Sequence, residues 1–243
     1  MTESMFRILS NRALNASISE MILEGDVSAL TRPGQFVNIK IDGLYLRRPI
    51  SVADYSDGRM TLIYRAVGEG TRRMRDMREG ESLNILVGLG NGYETAVSGD
   101  APLLAGGGVG VPPLYGLAKK LCAEGKRVRV LLGFRSADDV FYEEEFRALG
   151  ASVTVVTEDG SRGVKGFVTA AMDGDYTYVY ACGPEPMLKA VSGKSETSGQ
   201  FSFEERMGCG FGACMGCSCK TKYGNKRICR DGPVLTKEEI IWD

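Results

Sequence analysis

The chain has 243 residues, with 30 basic and 31 acidic side chains, a formal net charge of −1 and no histidine. Because histidine is absent, a Ser-His-Asp triad, a Cys-His pair, an HExxH zinc site and a Rieske cluster are excluded. The near-zero net charge gives no electrostatic footprint for nucleic acid or for an anionic membrane. A hydrophobic share of 43% is enough for folded cores. The length suits one large or two modest domains.

Residues 1 to about 95 are predicted to be β-structure. In Gln35–Ile41, alternate residues share a face, as in a half-buried strand. Met60–Val67 and Ser82–Val87 are further strand candidates, and turn residues such as those of Asp57-Gly58 separate them. Several short strands with regular turns predict a small barrel or sandwich.

The next hundred residues are predicted to alternate strands with helices, which indicates a doubly wound parallel sheet. An apolar helix face follows Pro112 and Pro113, which suit a first helical turn. A second helix is predicted over Phe141–Leu149, with Asp138 or Asp139 as its N-cap. A third is predicted to start in Pro184–Val191. The predicted strands are Ala101–Ala105, Val128–Phe134, Val153–Thr157 and Tyr176–Ala181.

Composition also predicts where the chain resides and how it is divided. Ser192–Gln200 is polar and rich in serine and glycine, which is typical of a linker. The first residues lack the pattern of a secretory signal, and no apolar run approaches the length that spans a bilayer. We therefore expect a soluble cytoplasmic protein whose thiols stay reduced.

A glycine-rich turn, Gly106–Gly110, lies between a predicted strand and a predicted helix. Backbone N–H groups in such a turn, with the positive end of the helix, favour a pyrophosphate. The turn does not match G-x-G-x-x-G, so on the motif alone a tight turn without a ligand is an equal alternative. A second strand-end loop, Cys182–Met187, strengthens the binding interpretation, because ligands of open α/β sheets lie at the carboxyl ends of the strands.

Two arginines stand beside a proline in Leu46–Ser51. Proline disfavours a central position in a β-ladder, so this segment is predicted to form an edge that faces a ligand or solvent. An arginine there can bind a phosphate with two parallel hydrogen bonds, although an ordinary solvated charge pair is the alternative. The nearby turn Gly68–Thr71 offers additional backbone donors.

Five of the seven cysteines lie between positions 209 and 229. The spacing Cys-x4-Cys-x2-Cys with a distant fourth cysteine is that of plant-type 2Fe–2S clusters. Two bridged irons need four terminal thiolates, and the intervening glycines let a loop wrap the cluster. The predicted ligands are Cys209, Cys214, Cys217 and Cys229. Cys219 is predicted to be a non-ligand thiol, although it stands where it could replace one of the last two. A zinc knuckle is the alternative, because Cys-x2-Cys also suits tetrahedral zinc.

The order of these motifs resembles the ferredoxin–NADP reductase superfamily. Arg48–Ser51 corresponds to its Arg-x-Tyr-Ser flavin motif, with Ile50 at the tyrosine position. Within that superfamily the chain is similar to the electron-transfer subunits of dihydroorotate dehydrogenase B, and the similarity covers nearly the whole chain. The segments that carry it are Leu46–Val52, Leu89–Tyr93, Gly133–Phe146 and Glu205–Cys219.

The resemblance implies three domains. They are an FAD-binding antiparallel β-barrel (1–96), an NAD-binding α/β domain with a parallel sheet (97–195), and a small 2Fe–2S domain (196–243). Arg48 would meet the FAD pyrophosphate and Ser51 the flavin ring. The Gly106 loop would take the NAD pyrophosphate, with the Cys182 loop near the nicotinamide. The implied FAD contacts are Arg48, Pro49, Ile50, Ser51, Tyr64, Arg65, Ala66, Gly70 and Thr71. The implied NAD contacts are Gly106, Gly107, Gly108, Gly110, Cys182, Gly183 and Pro184.

The resemblance also implies a partner: a catalytic subunit that carries FMN and oxidises dihydroorotate, in a heterotetramer with two copies of each chain. Electrons would pass from FMN through the cluster to FAD and leave as hydride to NAD⁺, so this chain needs no catalytic acid or base of its own. Two alternatives stay open. One is the flavin subunit of another NAD(P)H-linked complex, of the transhydrogenase or hydrogenase type. The other is a non-redox binding protein with a structural zinc knuckle.

Overall fold

The computed structural model describes residues 1–242. Six antiparallel strands form its N-terminal part: β1 (Thr2–Ala13), β2 (Ile18–Glu24), β3 (Phe36–Ile39), β4 (Arg48–Ser56), β5 (Arg59–Arg65) and β6 (Ser82–Leu89). They close into a barrel in the order β1-β2-β5-β4-β3-β6. Alternate side chains of each strand point inward and form one apolar core. The predicted barrel is confirmed, with two long strands, β1 and β2, that the sequence patterns had not marked individually.

The arginine–proline segment is a locally one-sided part of the closed barrel, in keeping with the predicted edge. It begins β4, and Pro49 stands opposite Asn38 of β3. The pairing of β4 with β5 starts only at Val52. Arg48–Ser51 is therefore paired on one side alone, and that open side is where a residue without an N–H is tolerated.

A seven-stranded sheet forms the second layer. In chain order its strands are β7 (Pro102–Gly107), β8 (Arg129–Phe134), β9 (Ser152–Thr157), β10 (Val164–Lys165), β11 (Tyr178–Cys182), β12 (Gly199–Ser202) and β15 (Val234–Thr236). Their order in the sheet is β10-β9-β8-β7-β11-β12-β15, and all pairs are parallel except β12 with β15. The α-helices within residues 1–242 are α1 (Glu69–Asp76), α2 (Val111–Ala123), α3 (Glu143–Ala148) and α4 (Glu185–Lys194). The predicted parallel α/β architecture is confirmed.

Helix α3 begins two residues later than predicted, and neither predicted aspartate caps it. Its N-cap is Tyr142, whose backbone is left-handed at φ 65°, and no side chain caps the helix. Asp138 and Asp139 lie in a preceding turn of 3-10 helix. Phe141 and Tyr142 are buried, so tertiary packing, which local capping preferences do not describe, sets the start of the helix.

The predicted linker Ser192–Gln200 is ordered structure instead. Ser192 lies in the last turn of α4 and accepts a hydrogen bond of 3.1 Å from Nε1 of Trp242. Gly199 begins β12, where a Cβ would stand 2.5 Å from the side chain of Val179, so glycine permits this close strand pairing. The boundary at 195 and 196 stays a prediction, but β12 and β15, both beyond it, belong to the central sheet.

The remaining C-terminal residues form the cysteine loop and a two-stranded hairpin, β13 (Ser218–Thr221) with β14 (Gly224–Arg227). Helix α2 joins the sheet to the barrel, since a Cβ on Gly116 would stand 2.8 Å from the carbonyl oxygen of Ala53. Lys119 of α2 also pairs with Asp54 of β4 at 2.7 Å. No helix in residues 1–242 is long and apolar enough to cross a bilayer.

Candidate cofactor sites

The two strand-end loops predicted to bind NAD are in direct contact. Cys182 pairs with Gly106 across adjacent strands. A Cβ on Gly110 would lie 2.2 Å from the carbonyl oxygen of Cys182, and a Cβ on Gly183 would lie 3.1 Å from the backbone nitrogen of Gly107. These positions therefore need glycine because two backbones meet there. Pro112 and Pro113 occupy the first turn of α2, as predicted, just after the glycine loop.

A cavity of about 470 Å³ opens beside these loops. It lies at the carboxyl ends of the parallel strands, which is where open α/β sheets bind ligands. Backbone donors of the glycine loop stand at one part of the wall, and charged side chains from the ends of β8 and β9 stand at another. The lining residues that matter here are Gly107, Gly108, Arg135, Asp139, Glu158 and Pro184.

The residues predicted to hold the FAD pyrophosphate also lie together. The Arg48 side chain crosses Gly70, where a Cβ would stand 2.2 Å from Nε of Arg48. Gly68 is the N-cap of α1. Thr71 accepts hydrogen bonds of 3.1 Å from the backbone nitrogens of Val67 and Gly68, which fixes the turn. An arginine beside a helix N-terminus is a fitting environment for phosphate oxygens.

Tyr64, an implied FAD contact on β5, points into the barrel rather than toward the candidate FAD site. Its ring is buried in the barrel core, and its hydroxyl donates to Oδ1 of Asn11 at 3.2 Å. A contact between Tyr64 and FAD would therefore use backbone atoms. Arg65 is exposed and reaches the glycine loop, where a Cβ on Gly108 would lie 3.6 Å from Nη2 of Arg65. Arg65 thus joins the barrel site to the nucleotide cavity. Ala66, Ile50 and Ser51 are half-buried.

Cys182, at the end of β11 beside the glycine loop, is a buried neutral thiol. Burial, followed by the negative charge of Glu204, raises the pKa of Cys182 to about 12. Glu204 follows β12 and borders an open cleft. The surrounding protein raises its pKa, although the positive charge of Arg65 opposes this shift. A carboxyl group thus stands near both Cys182 and Arg65, at the junction of barrel, sheet and cysteine loop.

The four predicted cluster ligands fall into two pairs. The backbone nitrogen of Cys209 contacts Sγ of Cys214 at 3.4 Å, and Sγ of Cys209 accepts from the backbone nitrogens of Ala213 and Cys214 at 3.2 and 3.4 Å. The backbone nitrogen of Cys229 donates to Sγ of Cys217 at 3.4 Å. Two pairs match a two-iron cluster in which each iron takes two terminal thiolates.

The backbone around Cys209 favours its thiolate form, which is the form that binds iron. Burial raises the pKa of Cys209, but hydrogen bonds from the backbone of Cys214, Phe211 and Ala213 outweigh burial and lower the pKa to about 6. Cys229 is more enclosed, and burial together with its neighbour Cys217 raises its pKa. The donor set and the N–H groups directed at sulfur therefore fit an iron–sulfur cluster.

Cys219 lies outside this loop. It is in β13, paired with Lys226 of β14, and burial raises its pKa. Within residues 1–242, no three histidine, cysteine, aspartate or glutamate side chains converge on one point that a single metal ion would occupy. A zinc knuckle requires such convergence of four ligands, and the two-by-two arrangement differs from it.

Sequence patterns missed three residues that the fold brings to these sites. Asn38 donates from Nδ2 to the carbonyl oxygen of Cys209 at 3.2 Å. Glu204 stands beside Cys182, and Glu158 lines the nucleotide cavity. Glu158 directly follows a predicted strand, and that position could have indicated a residue of the nucleotide cavity. For Asn38, alternation marked the outer face of β3, but nothing local showed that the cysteine loop covers that face.

Comparisons with known proteins agree with this geometry. Residues 104–193 match the family model of the oxidoreductase NAD-binding domain. Residues 204–241 match that of the iron–sulfur cluster binding domain of dihydroorotate dehydrogenase B. A dihydroorotate dehydrogenase B (NAD⁺) electron transfer subunit from Bacillus pumilus is 45% identical, over 99% of this chain and 98% of that protein.

Solved structures show the same fold. A structure of the NADH-dependent reduced ferredoxin–NADP oxidoreductase matches with a TM-score of 0.89 and 30% identity, over 98% of this chain and 90% of that one. The flavohemoglobin of Malassezia yamatoensis matches with a TM-score of 0.68 and 20% identity, over 80% of this chain and 56% of that one. At that identity, the second likeness concerns the fold alone.

A closed barrel joined to a parallel nucleotide-binding sheet, with a cysteine loop beside the barrel, defines an NAD-linked oxidoreductase of the ferredoxin–NADP reductase type. Within that class, this chain belongs to the family of dihydroorotate dehydrogenase B electron transfer subunits. The expected cofactors FAD, 2Fe–2S cluster and NAD are confirmed at the level of the family. The individual FAD, NAD and iron contacts stay predictions.

Proposed function

We propose that this chain conducts electrons from the FMN of a catalytic partner subunit to NAD⁺ while that partner oxidises dihydroorotate to orotate. When bound, the cluster supplies one-electron transfer and FAD supplies hydride exchange with NAD⁺. The observation that carries the proposal is that the three candidate sites contact one another in the order cysteine loop, barrel, nucleotide loop. Asn38 of the barrel binds the backbone of Cys209, and Arg65 of the barrel reaches Gly108 of the nucleotide loop.

Each site contributes binding and orientation rather than proton transfer to dihydroorotate. Arg48 and the N-terminus of α1 are suited to bind the FAD pyrophosphate. The N–H groups of the glycine loop are suited to bind the NAD pyrophosphate. Cys182, held neutral by burial and by the charge of Glu204, would present an uncharged side chain to the nicotinamide.

The exposed side of the cysteine loop supports a partner that delivers electrons there. Cys214, Phe211 and Met215 are exposed, whereas Cys217 and Cys229 are buried against the rest of the chain. An apolar patch beside a thiolate ligand is suited to a protein interface. We place the FMN-bearing subunit on this side, in a heterotetramer with two copies of each chain. A cytoplasmic location accords with free thiols and an NAD substrate.

The test is coexpression of this chain with the dihydroorotate-oxidising subunit, followed by anaerobic purification. We expect a stable complex that contains FMN, FAD, iron and sulfide. It should convert dihydroorotate and NAD⁺ into orotate, NADH and a proton, with a mass equal to two copies of each chain. The catalytic subunit alone should lack the NAD⁺-dependent reaction. Failure of the two chains to associate, or a natural partner without FMN, would contradict the proposal.

A second candidate is a flavin subunit of a transhydrogenase-type complex, favoured by the likeness to NADH-dependent reduced ferredoxin–NADP oxidoreductase. The identity is 30% in that comparison, against 45% with the dihydroorotate dehydrogenase B subunit. The coexpression experiment separates them, because only the first candidate couples dihydroorotate oxidation to NADH formation.

A further inference from the structure

The barrel presents one buried amide to the cysteine loop. Asn38 is only 1% exposed, although alternation along β3 places it on the outer face of the barrel. The loop itself covers it: Nδ2 of Asn38 donates to the carbonyl oxygen of Cys209 at 3.2 Å, and a Cβ on Gly210 would stand 2.3 Å from the same nitrogen. Gly210 has φ 79°, so the loop turns sharply at the point where it meets the amide.

Stability of the fold alone does not explain an asparagine at position 38. Its Oδ1 is buried, and within residues 1–242 it has no hydrogen-bond partner. A buried acceptor without a partner costs free energy, and an apolar side chain of similar shape would avoid that cost. The single bond to the backbone of Cys209 is therefore the property that distinguishes asparagine from leucine here.

The backbone of Asn38 is fixed from two directions. Across the barrel ladder it stands opposite Pro49, between Arg48 and Ile50 of the implied flavin strand. From the side, Nη1 of Arg47 donates to the carbonyl oxygens of Asn38 and Asn84 at 3.3 Å each. Arg47 is itself bound to Glu3 of β1 at 2.7 Å. The amide thus projects from a rigid point of the barrel, as a supporting residue of a metal site should.

We propose that Asn38 is the positioning residue that fixes the Cys209 end of the cluster loop against the flavin-binding barrel. Residues that hydrogen-bond to the frame of a metal ligand orient that ligand and tune the metal. The bond also partly neutralises the negative end of the Cys209 carbonyl dipole, so it favours the added negative charge of a reduced cluster nearby. This inference rests on the proposed function, because it takes Cys209 as a cluster ligand.

The test compares Asn38→Leu with Asn84→Leu in the anaerobically purified holoprotein. Asn84 is a matched control on the neighbouring strand β6. It has the same buried, unpartnered Oδ1, but its side chain bonds Glu3 rather than the cysteine loop. Asn38→Ala serves as a second variant if the bulk of leucine prevents folding.

For Asn38→Leu we expect iron release to a chelator to be about 10- to 100-fold faster. The midpoint potential of the cluster should be lower and the EPR g values of the reduced cluster altered, while FAD content and flavin reduction by NADH stay unchanged. Asn84→Leu should match the parent protein in all five respects. Parent-like iron release, potential and g values in both Asn38 variants would overturn the inference, as would equal changes in Asn84→Leu. An iron-free parent protein, by contrast, would overturn the proposed function itself.

Discussion

The nucleotide cavity and the cysteine loop are built in different ways. The cavity stands at the carboxyl ends of sheet strands, and its two loops are held by backbone contact, as between Gly110 and Cys182. The cysteine loop has no regular secondary structure from Gly208 to Gly216, and several of its hydrogen bonds end on sulfur. The sheet therefore fixes the shape of the cavity, whereas the conformation of the cysteine loop depends on the group that its thiolates bind. Damage to one region should leave the other intact.

The largest expected effect is loss of the cluster after Cys→Ser substitution at any of positions 209, 214, 217 and 229. Each change removes one of the four terminal thiolates, and serine is a poor ligand for iron in such clusters. Iron and sulfide analysis should show the loss, while FAD content and flavin reduction by NADH persist. Cys219→Ser is the control and should retain the cluster. Cluster loss in Cys219→Ser alone would show that the ligand set is wrong.

Gly110→Ala should damage the nucleotide region in a comparable way. The new methyl group would stand 2.2 Å from the carbonyl oxygen of Cys182, so one loop must move, at a cost of about 1–3 kcal/mol. We expect at least a tenfold (roughly 1.4 kcal/mol) loss of NADH affinity in flavin-reduction kinetics, with normal iron content. Gly193→Ala is the control: it is an exposed position in α4 with nothing within 4 Å, and alanine there should stabilise by about 1 kcal/mol.

Glu158→Arg should change the choice between NAD and NADP. Glu158 and Asp139 place negative charge on the cavity wall near Arg135, and a carboxylate repels a 2′-phosphate that an arginine would attract. The ratio of kcat/KM for NADPH over NADH should rise by about 10- to 100-fold, more at low salt. Glu144→Arg, at an exposed site on α3, is the control. An unchanged ratio would mean that the ribose end of the nucleotide lies elsewhere.

Asn91→Ala should loosen the cluster domain from the rest of the chain. Its amide donates to the carbonyl oxygens of Val234 at 2.7 Å and Asp231 at 3.3 Å, and accepts from the backbone nitrogen of Val234 at 3.1 Å. Loss of these three bonds, two of them partly buried, should lower the free energy of unfolding by about 2–4 kcal/mol. Urea denaturation of the holoprotein measures it. Asn225→Ala, on the exposed hairpin, should change stability by less than about 0.5 kcal/mol.

A smaller effect on stability than that of Asn91→Ala concerns the contact of barrel and sheet at Tyr142. Its hydroxyl donates to Glu20 at 2.7 Å in a buried site, and Glu20 also pairs with Arg12. Tyr142→Phe should cost about 1.5–3 kcal/mol in the same denaturation assay, the range for a hydrogen bond to a charged group. Tyr223→Phe, 76% exposed, should be neutral. A neutral Tyr142→Phe would mean that water replaces the bond.

The contrast between the two regions also explains what the sequence could predict. Strand periodicity and the order of strands and helices predicted the barrel and parallel sheet, because both depend on regular burial. The glycine and Cys182 loops followed from that order, since strand ends share an edge. Cysteine spacing alone predicted the cluster ligands and left zinc open.

Features that depend on tertiary contact were not predictable. The start of α3 is set by burial of Phe141 and Tyr142, and polar composition concealed β12 in the predicted linker. Tyr64 turns into the core, and Arg65 spans two sites, although the two are neighbours in one motif. Asn38 acquires its contact only because a segment about 170 positions later folds over it.

The most direct test of the electron path is an anaerobic titration of the purified holoprotein with NADH, followed by visible absorption and EPR spectroscopy. If the three sites form one path, the flavin bands and the broad cluster absorbance both bleach, and the EPR signal of a reduced 2Fe–2S cluster appears without any partner present. A cluster that stays oxidised with excess NADH alone, while the flavin bleaches, but becomes reduced once a redox mediator is added would contradict the account.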